Sequence, residues 1–218
     1  MASKSEETRA RILDAAMDLF RRQGFDETTM REIAAEGGVA TGAAYYYFDS
    51  KDAIALAFYH QSQHELEPLI EQALAPPGGL KDRLAALLNA KLKYFEPNRR
   101  LLGALAAHAD PQHPLSPFSA RTREIRERDI ESFARALEGS GIRVPRDLQT
   151  RLPGILWMFQ MGLILFWIYD QSPAQARTQT LVLKSTAIVE RLVKLAAIPI
   201  MRPVRRMVVD LVQTVTEA

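Results

Sequence analysis

Apolar residues in this chain return every three and four positions almost from end to end, and no stretch alternates convincingly with a period of two. A chain patterned this way buries helix against helix, so the expected fold class is all-α. Ile12, Leu13, Ala16, Leu19 and Phe20 fall at i, i+1, i+4, i+7 and i+8, on one face of a first helix. Ser3 with Glu6 reads as its capping box, and Gly24 as its stop. A second, shorter helix begins at Thr29, again with a glutamate (Glu32) three places on, and ends at Gly37-Gly38. A third runs from about Thr41 to Phe48. A fourth covers roughly Lys51 to Leu74, where Pro68 is expected to kink or break it. Turn-forming clusters then delimit helices near 80–96, 98–109, 116–138, 147–169, 174–197 and 203–216. The first three helices form a compact unit of their own, so the expected division is a domain at 1–50 and a larger one at 51–218.

Bulk properties remove several function classes. With 218 residues, 47% of them hydrophobic, the chain has enough material for a substantial core. Cysteine is absent, which rules out disulfides and thiolate metal sites and suits a reducing compartment. "MASKSEETRARIL" carries charges where a signal peptide would be apolar, and the expected location is the cytoplasm. No glycine-rich phosphate loop, nucleophile elbow or base–orienter set appears, so the chain does not read as an enzyme and no cofactor is expected. His60 and His64 stand at i, i+4, a metal-pair spacing, but lack a third ligand nearby in sequence, and no metal is expected. Leu152 to Tyr169 is apolar and long enough to cross a bilayer only marginally. Pro153, Gly154, Gln160 and Gly162 dilute it, and an amphipathic helix follows at once. It reads as a buried helix or a subunit interface, with no membrane partner.

One stretch resists a packing explanation. In "GVATGAAYYYFDSK" four consecutive aromatics, Tyr45, Tyr46, Tyr47 and Phe48, point in four directions on any helix and cannot share one buried face. The residues before them, Thr41, Gly42, Ala43 and Ala44, are nearly bare of side chain. Short helix, glycine turn, short helix is the helix-turn-helix arrangement, whose second helix enters the major groove of DNA. Ile33, Ala34, Val39, Ala44 and Phe48 would close a small core against Leu19 and Phe20. Thr41, Gly42 and Ala43 would then leave the helix start low enough to reach base edges, with its free amides facing phosphate. Tyr45, Tyr46 and Tyr47 supply phenolic arms for phosphates, sugars and thymine methyls. Lys51 adds a cation at the far end, and Arg31 is the fork able to grip guanine. Gross charge gives no help: through Lys51 there are seven basic and nine acidic residues, so a DNA role must rest on placement.

"TTMREIAAEGGVATGAAYYYFDSKDAIALAF" resembles the DNA-binding domain of the tetracycline-repressor family of bacterial transcription regulators. The likeness covers about residues 8–58, including the Gly38-Val39 turn, Tyr45, Phe48 and Lys51. It implies DNA contact by Thr29, Arg31, Thr41, Gly42, Ala43, Tyr45, Tyr46, Tyr47 and Lys51. Many members carry a basic or larger polar residue around Thr41 to Ala43, so base readout here is expected to be sparse and partly through DNA shape. The resemblance further implies a homodimer on a palindromic double-stranded operator. Helices 147–169 and 174–197 would form its four-helix interface through Leu156, Leu163, Phe166 and Trp167 and through Leu181, Ile188, Leu192 and Leu195. It also implies a pocket for a small hydrophobic effector. Phe95, Leu102, Phe118, Phe133, Trp157, Gln160, Met161 and Ile164 are its candidate lining. A DNA-binding protein of the same fold without an effector is the alternative.

Overall fold

The computed structural model describes residues 3–106 and 110–216. Among them are eleven α-helices and no strand. The helices are α1 Lys4–Arg22, α2 Met30–Glu36, α3 Thr41–Tyr47, α4 Lys51–Leu74, α5 Leu80–Phe95 and α6 Arg99–Ala106. They continue with α7 Arg123–Glu138, α8 Arg146–Gln149, α9 Leu152–Tyr169, α10 Ala176–Ala196 and α11 Arg202–Thr216. The chain divides into two compact units, Met1–Leu66 with Tyr94–Arg126, and Glu67–Lys93 with Glu127–Ala218.

In the first unit both expected capping boxes form. Ser3 and Thr29 each accept from the amide three residues on, and Glu6 and Glu32 reach back to the cap amides at 2.6 and 2.8 Å. Gly24 ends α1 at φ +101, a left-handed conformation that a side chain resists. The orphan carbonyls at that helix end are taken by Arg100, which donates to Arg22 O and Gln23 O at 3.0 and 2.9 Å. The core gathers Ile12, Ala16 and Phe20 of α1, Ile33 and Ala34 of α2, and Ala44 and Phe48 at α3. The same core contains Ile54 and Phe58 of α4, Leu101 and Leu105 of α6, and Leu115. A compact unit ending at residue 50 would strip those apolar faces, which is why it extends to Leu66 and takes in 94–126.

Three helix expectations need correction. α4 continues through Pro68, so of the expected kink or break the break does not occur; the proline is exposed, where water can satisfy the carbonyl whose amide partner is missing. Residues 116–122 are turns, not helix. Ser116, Ser119 and Thr122 hydroxyls bond the local backbone, including Thr122 Oγ1 to Ser116 O at 2.6 Å, in competition with helical bonding. The 147–169 segment is α8 and α9 with a break at Thr150-Arg151, just before Pro153. The 98–109 helix is described as far as Ala106, and its last three residues lie outside the described residues.

In the second unit Leu80, Leu84, Leu87 and Leu88 of α5 are buried, as are Phe133, Ala136 and Leu137 of α7. Leu152, Leu156, Trp157, Leu163 and Trp167 of α9 and Val182 and Val193 of α10 are buried as well. Buried Arg83 closes two helix ends, donating to Leu74 O at 2.8 Å and to Ala136 O at 3.0 Å. A Cβ at Gly139 would stand 2.1 Å from the guanidinium, so a side chain there would have to displace Arg83. Ahead of α10, the Asp170 carboxylate accepts from the amides of Ser172 and Thr178, both at 2.9 Å, and from the Thr178 hydroxyl at 2.6 Å. These bonds, the Thr178 hydroxyl first, hold its pKa well below the usual carboxylate range.

Candidate nucleic-acid interface

The turn between α2 and α3 is made by Gly38 at φ +64, with Val39 N bonded back to Ala34 O at 2.9 Å. α3 spends two side chains on the core, Ala44 (0% exposed) and Phe48 (3%) at i, i+4. Its other faces are outside. Thr41 and Gly42 are exposed, Ala43 is partly buried, and no side chain caps the helix start. A Cβ on Gly42 would meet nothing within 4 Å, so nothing in the chain itself demands a glycine there. Tyr46 is 82% exposed and Tyr45 50%. Arg31, one residue into α2, is also exposed and forms no ion pair among the described residues.

Other expected DNA residues have partners within the chain. Tyr47 is half-buried, with its ring edge-on to Tyr46 at 5.2 Å and its hydroxyl accepting from Ser5 Oγ at 3.3 Å. The Thr29 hydroxyl is bonded to Glu32 Oε2 at 2.8 Å. The Lys51 ammonium donates to Phe25 O at 2.7 Å and Asp26 O at 3.1 Å, and stands 4.9 Å over the Phe25 ring. It therefore clamps the α1–α2 connection to the start of α4. Sequence reasoning missed Arg9, whose exposed guanidinium lies 4.7 Å over the Phe48 ring, beside the end of α3. One turn of α1 separates Arg9 from Ser5, the partner of Tyr47, and that register was available in the sequence.

The second-unit candidates separate into groups. Phe133, Trp157 and Gln160 are buried, while Met161 and Ile164 are partly so. Phe95, Leu102 and Phe118 belong to the first unit, where Phe95 packs edge-on to Phe58 at 6.2 Å and Phe118 is 42% exposed. Gln160 does not stand alone. Its amide oxygen accepts from Lys91 at 2.9 Å, and its amide nitrogen donates to Asp129 Oδ2 at 2.6 Å. Lys91 also donates to Ser132 Oγ at 2.9 Å and to Asp129 Oδ1, and its ammonium lies 4.5 Å over the Phe133 ring. Burial pulls the Lys91 pKa down, against the opposing pull of Asp129. Lys91, Asp129 and Ser132 were missed, yet the signal was present. Leu84, Leu87, Leu88 and Lys91 are one helical stripe, and Asp129, Ser132, Phe133 and Ala136 another.

The residues expected at a dimer interface fall into two groups. Leu156 (2% exposed), Leu163 (3%) and Trp167 (0%) are buried inside their own chain. The Trp167 indole also donates to Gln175 Oε1 at 2.7 Å. α9 presents a different apolar face outward, with Met158, Leu165, Phe166 and Tyr169 all at least 41% exposed. On α10, Ile188, Leu192 and Leu195 are exposed, and Leu181 is partly buried. An open groove of about 960 Å³ lies along Leu165, Phe166, Tyr169, Pro173 and Ala176.

Two family models match. One, described as bacterial regulatory proteins of the tetR family, covers residues 12–58; the other, a tetracyclin repressor-like C-terminal domain, covers residues 83–214. The chain belongs to the tetracycline-repressor (TetR) family. Among curated relatives it is 42% identical over 66 residues to the HTH-type transcriptional regulator SrpR of Pseudomonas putida, across 30% of this chain and 31% of that one. It is 28% identical over 177 residues to AcrR of Shigella flexneri, covering 76% and 80% of the two chains. Among solved structures it resembles Thermus thermophilus FadR, a TetR-family repressor in complex with lauroyl-CoA. That match has 26% identity, a TM-score of 0.60, and coverage of 82% of this chain and 93% of the other. As a TetR-family member the protein is a DNA-binding transcriptional regulator of the helix-turn-helix class.

Proposed function

We propose that this TetR-family protein is a cytoplasmic repressor that binds a palindromic operator as a homodimer and leaves it when a small hydrophobic effector binds. The observation that carries the DNA reading is the division of labour on α2 and α3. Ala44 and Phe48 are committed to the core, while Arg31, Thr41, Gly42, Tyr45 and Tyr46 are exposed around an uncapped helix start. In this reading Arg31 takes a base edge, Tyr45 and Tyr46 take phosphate and sugar, and the bare start of α3 admits close approach to the groove floor. Thr29, Tyr47 and Lys51 position the motif through their inward bonds, and any remaining donors face phosphate.

One recognition helix reads only a half-site, and two related by a dyad read a palindrome. The exposed apolar residues of α9 and α10 support the dimer: Leu165, Phe166 and Tyr169 on the one helix, and Ile188, Leu192 and Leu195 on the other. The second unit, with a buried polar cluster beside Phe133 and with Trp157, Met161 and Ile164 buried or partly buried on α9, supports the effector role. The lauroyl-CoA held by Thermus thermophilus FadR supports an effector with an apolar body. Release requires that the effector favour a dimer state that no longer fits two half-sites.

Selection of bound fragments from a randomised DNA pool tests the reading. The expected product is a palindrome whose half-site centres lie about 34–36 Å apart, or a further whole number of helical turns. Recovery of unrelated fragments, or of a single unpaired half-site, contradicts it.

A further inference from the structure

The second unit buries a cation that its fold does not need. Lys91 is 4% exposed, and Gln160 and Ser132 are 3% and 1%. A leucine or methionine would continue the stripe of Leu84, Leu87 and Leu88, and such replacements of buried ion pairs are often neutral or stabilising. An ammonium can only donate, so the Gln160 amide oxygen must face Lys91 and its nitrogen must face Asp129. The Asp129 carboxylate is thus held with one donor on each oxygen, Lys91 on Oδ1 and Gln160 on Oδ2. That is the geometry of a carboxylate-binding site.

The members of this site differ in freedom. Lys91 is fixed from several sides, by Ser132, by Gln160 and by the Phe133 ring. The Lys91 side chain is 5% exposed but that of Asp129 is 15%, so the occupant, unlike the cradle, reaches solvent. Asp129 also lies three residues past Arg126, where α7 passes from the first unit into the second.

We propose that Lys91 and Gln160 form the anion-recognising end of the effector site, and that Asp129 occupies it as a built-in surrogate until a ligand carboxylate displaces it. This rests on the reading of the second unit as an effector domain. The ligand class is an amphiphilic acid, an apolar body with one carboxylate, its body lying against Phe133, whose ring stands beside the Lys91 ammonium. The exchange replaces one anion on Lys91 by another, so the buried ammonium never loses its counter-charge, and Asp129 turns to water. Displacement frees α7 at the residue that pinned it.

The test uses the full-length protein with three probes of one chain length, dodecanoate, dodecanol and dodecyltrimethylammonium, the two ions below their micellar concentrations and the alcohol below its solubility limit. Binding is read by tryptophan fluorescence, since Trp157 lies three residues from Gln160, and folding by thermal melts. Dodecanoate should bind at least tenfold tighter than dodecanol, and the cation should not bind. Lys91→Met should abolish that preference, and Gln160→Leu should reduce it. Asp129→Asn, which weakens the internal competitor, should tighten dodecanoate about tenfold. A merely structural ion pair gives the opposite result for Asp129→Asn, a less stable protein with no gain in affinity. Equal binding of acid and alcohol, no binding of the acid, or no gain with Asp129→Asn overturns the proposal. Operator binding without any probe is measured on the same preparations. Its loss in wild type counts against the regulator reading, whereas intact operator binding with no acid preference counts against the surrogate alone.

Discussion

At the scale of single residues, the recognition motif separates side chains that build it from those that it presents. Gly42 is the clearest case of presentation, because a methyl group there has open space and ordinary backbone angles. Gly42→Ala should stabilise α3 by up to about 1 kcal/mol through helix propensity and still weaken operator binding, because the added methyl sits at the surface offered to the groove. Thermal melts and DNA titration on one preparation check both halves; unchanged DNA affinity would move the interface away from the start of α3. Arg31→Ala should relax preference at one base pair per half-site, costing about 1–3 kcal/mol there. Comparison of the selected consensus for wild type and variant decides it, and a uniform loss across all sequences would make Arg31 a phosphate contact. Phe48 as core and Tyr45 and Tyr46 as exposed arms were legible from consecutive aromatics that cannot share one face. The inward bonds of Lys51 were not, because its partners are carbonyls of a connection 25 and 26 residues earlier. No side-chain pattern marks a backbone acceptor.

At the scale of elements, helix starts were the best-read features and irregular connections the worst. Capping boxes at Ser3 and Thr29 are local, each completed within three residues, and both formed as read. The 116–122 segment carries helix-compatible spacing, but its serine and threonine hydroxyls prefer their own backbone, and local competition of that kind leaves the apolar pattern intact. The polar cluster of the second unit shows the limit from another side. Each member sits in an apolar stripe of its own helix, yet which stripes meet is a tertiary fact. The α9–α10 connection makes an element-level prediction. Asp170 has a folded pKa below its unfolded value, so its contribution to stability is fully present above the ordinary carboxylate pKa of about 3.9. That contribution is lost as pH falls from there toward the folded value. Asp170→Asn should therefore melt lower than wild type at pH 7, with the gap closing progressively below about pH 4. A gap that stays constant down to pH 2.5, followed by circular dichroism, would show that the charge of Asp170 is not what holds the start of α10.

At the scale of the whole molecule, the all-helical class followed from periodicity alone, whereas the face of α9 that points outward did not. A helix apolar on every side gives no hydrophobic asymmetry to orient it, and eighteen such residues are also what length and composition allow for a membrane span. The fold resolves this by burying Leu156, Leu163 and Trp167 and exposing Leu165, Phe166 and Tyr169. Neighbouring substitutions should therefore have opposite fates. Phe166→Glu should leave a folded chain that sediments as a monomer and loses operator affinity. Trp167→Glu, placing a carboxylate at a fully buried site, should cost several kcal/mol and unfold the second unit. Sedimentation together with circular dichroism distinguishes them, and a folded dimer of Phe166→Glu would remove this face from the interface. The central claim, a dimer reading two half-sites, meets its most direct test in a hydroxyl-radical footprint of the wild-type protein on its selected operator. A dimer on a palindrome should give two protected patches on one side of the duplex, related by a dyad, with centres about 34–36 Å or a further whole number of turns apart. A single protected patch, or protection spread evenly around the duplex, would contradict it.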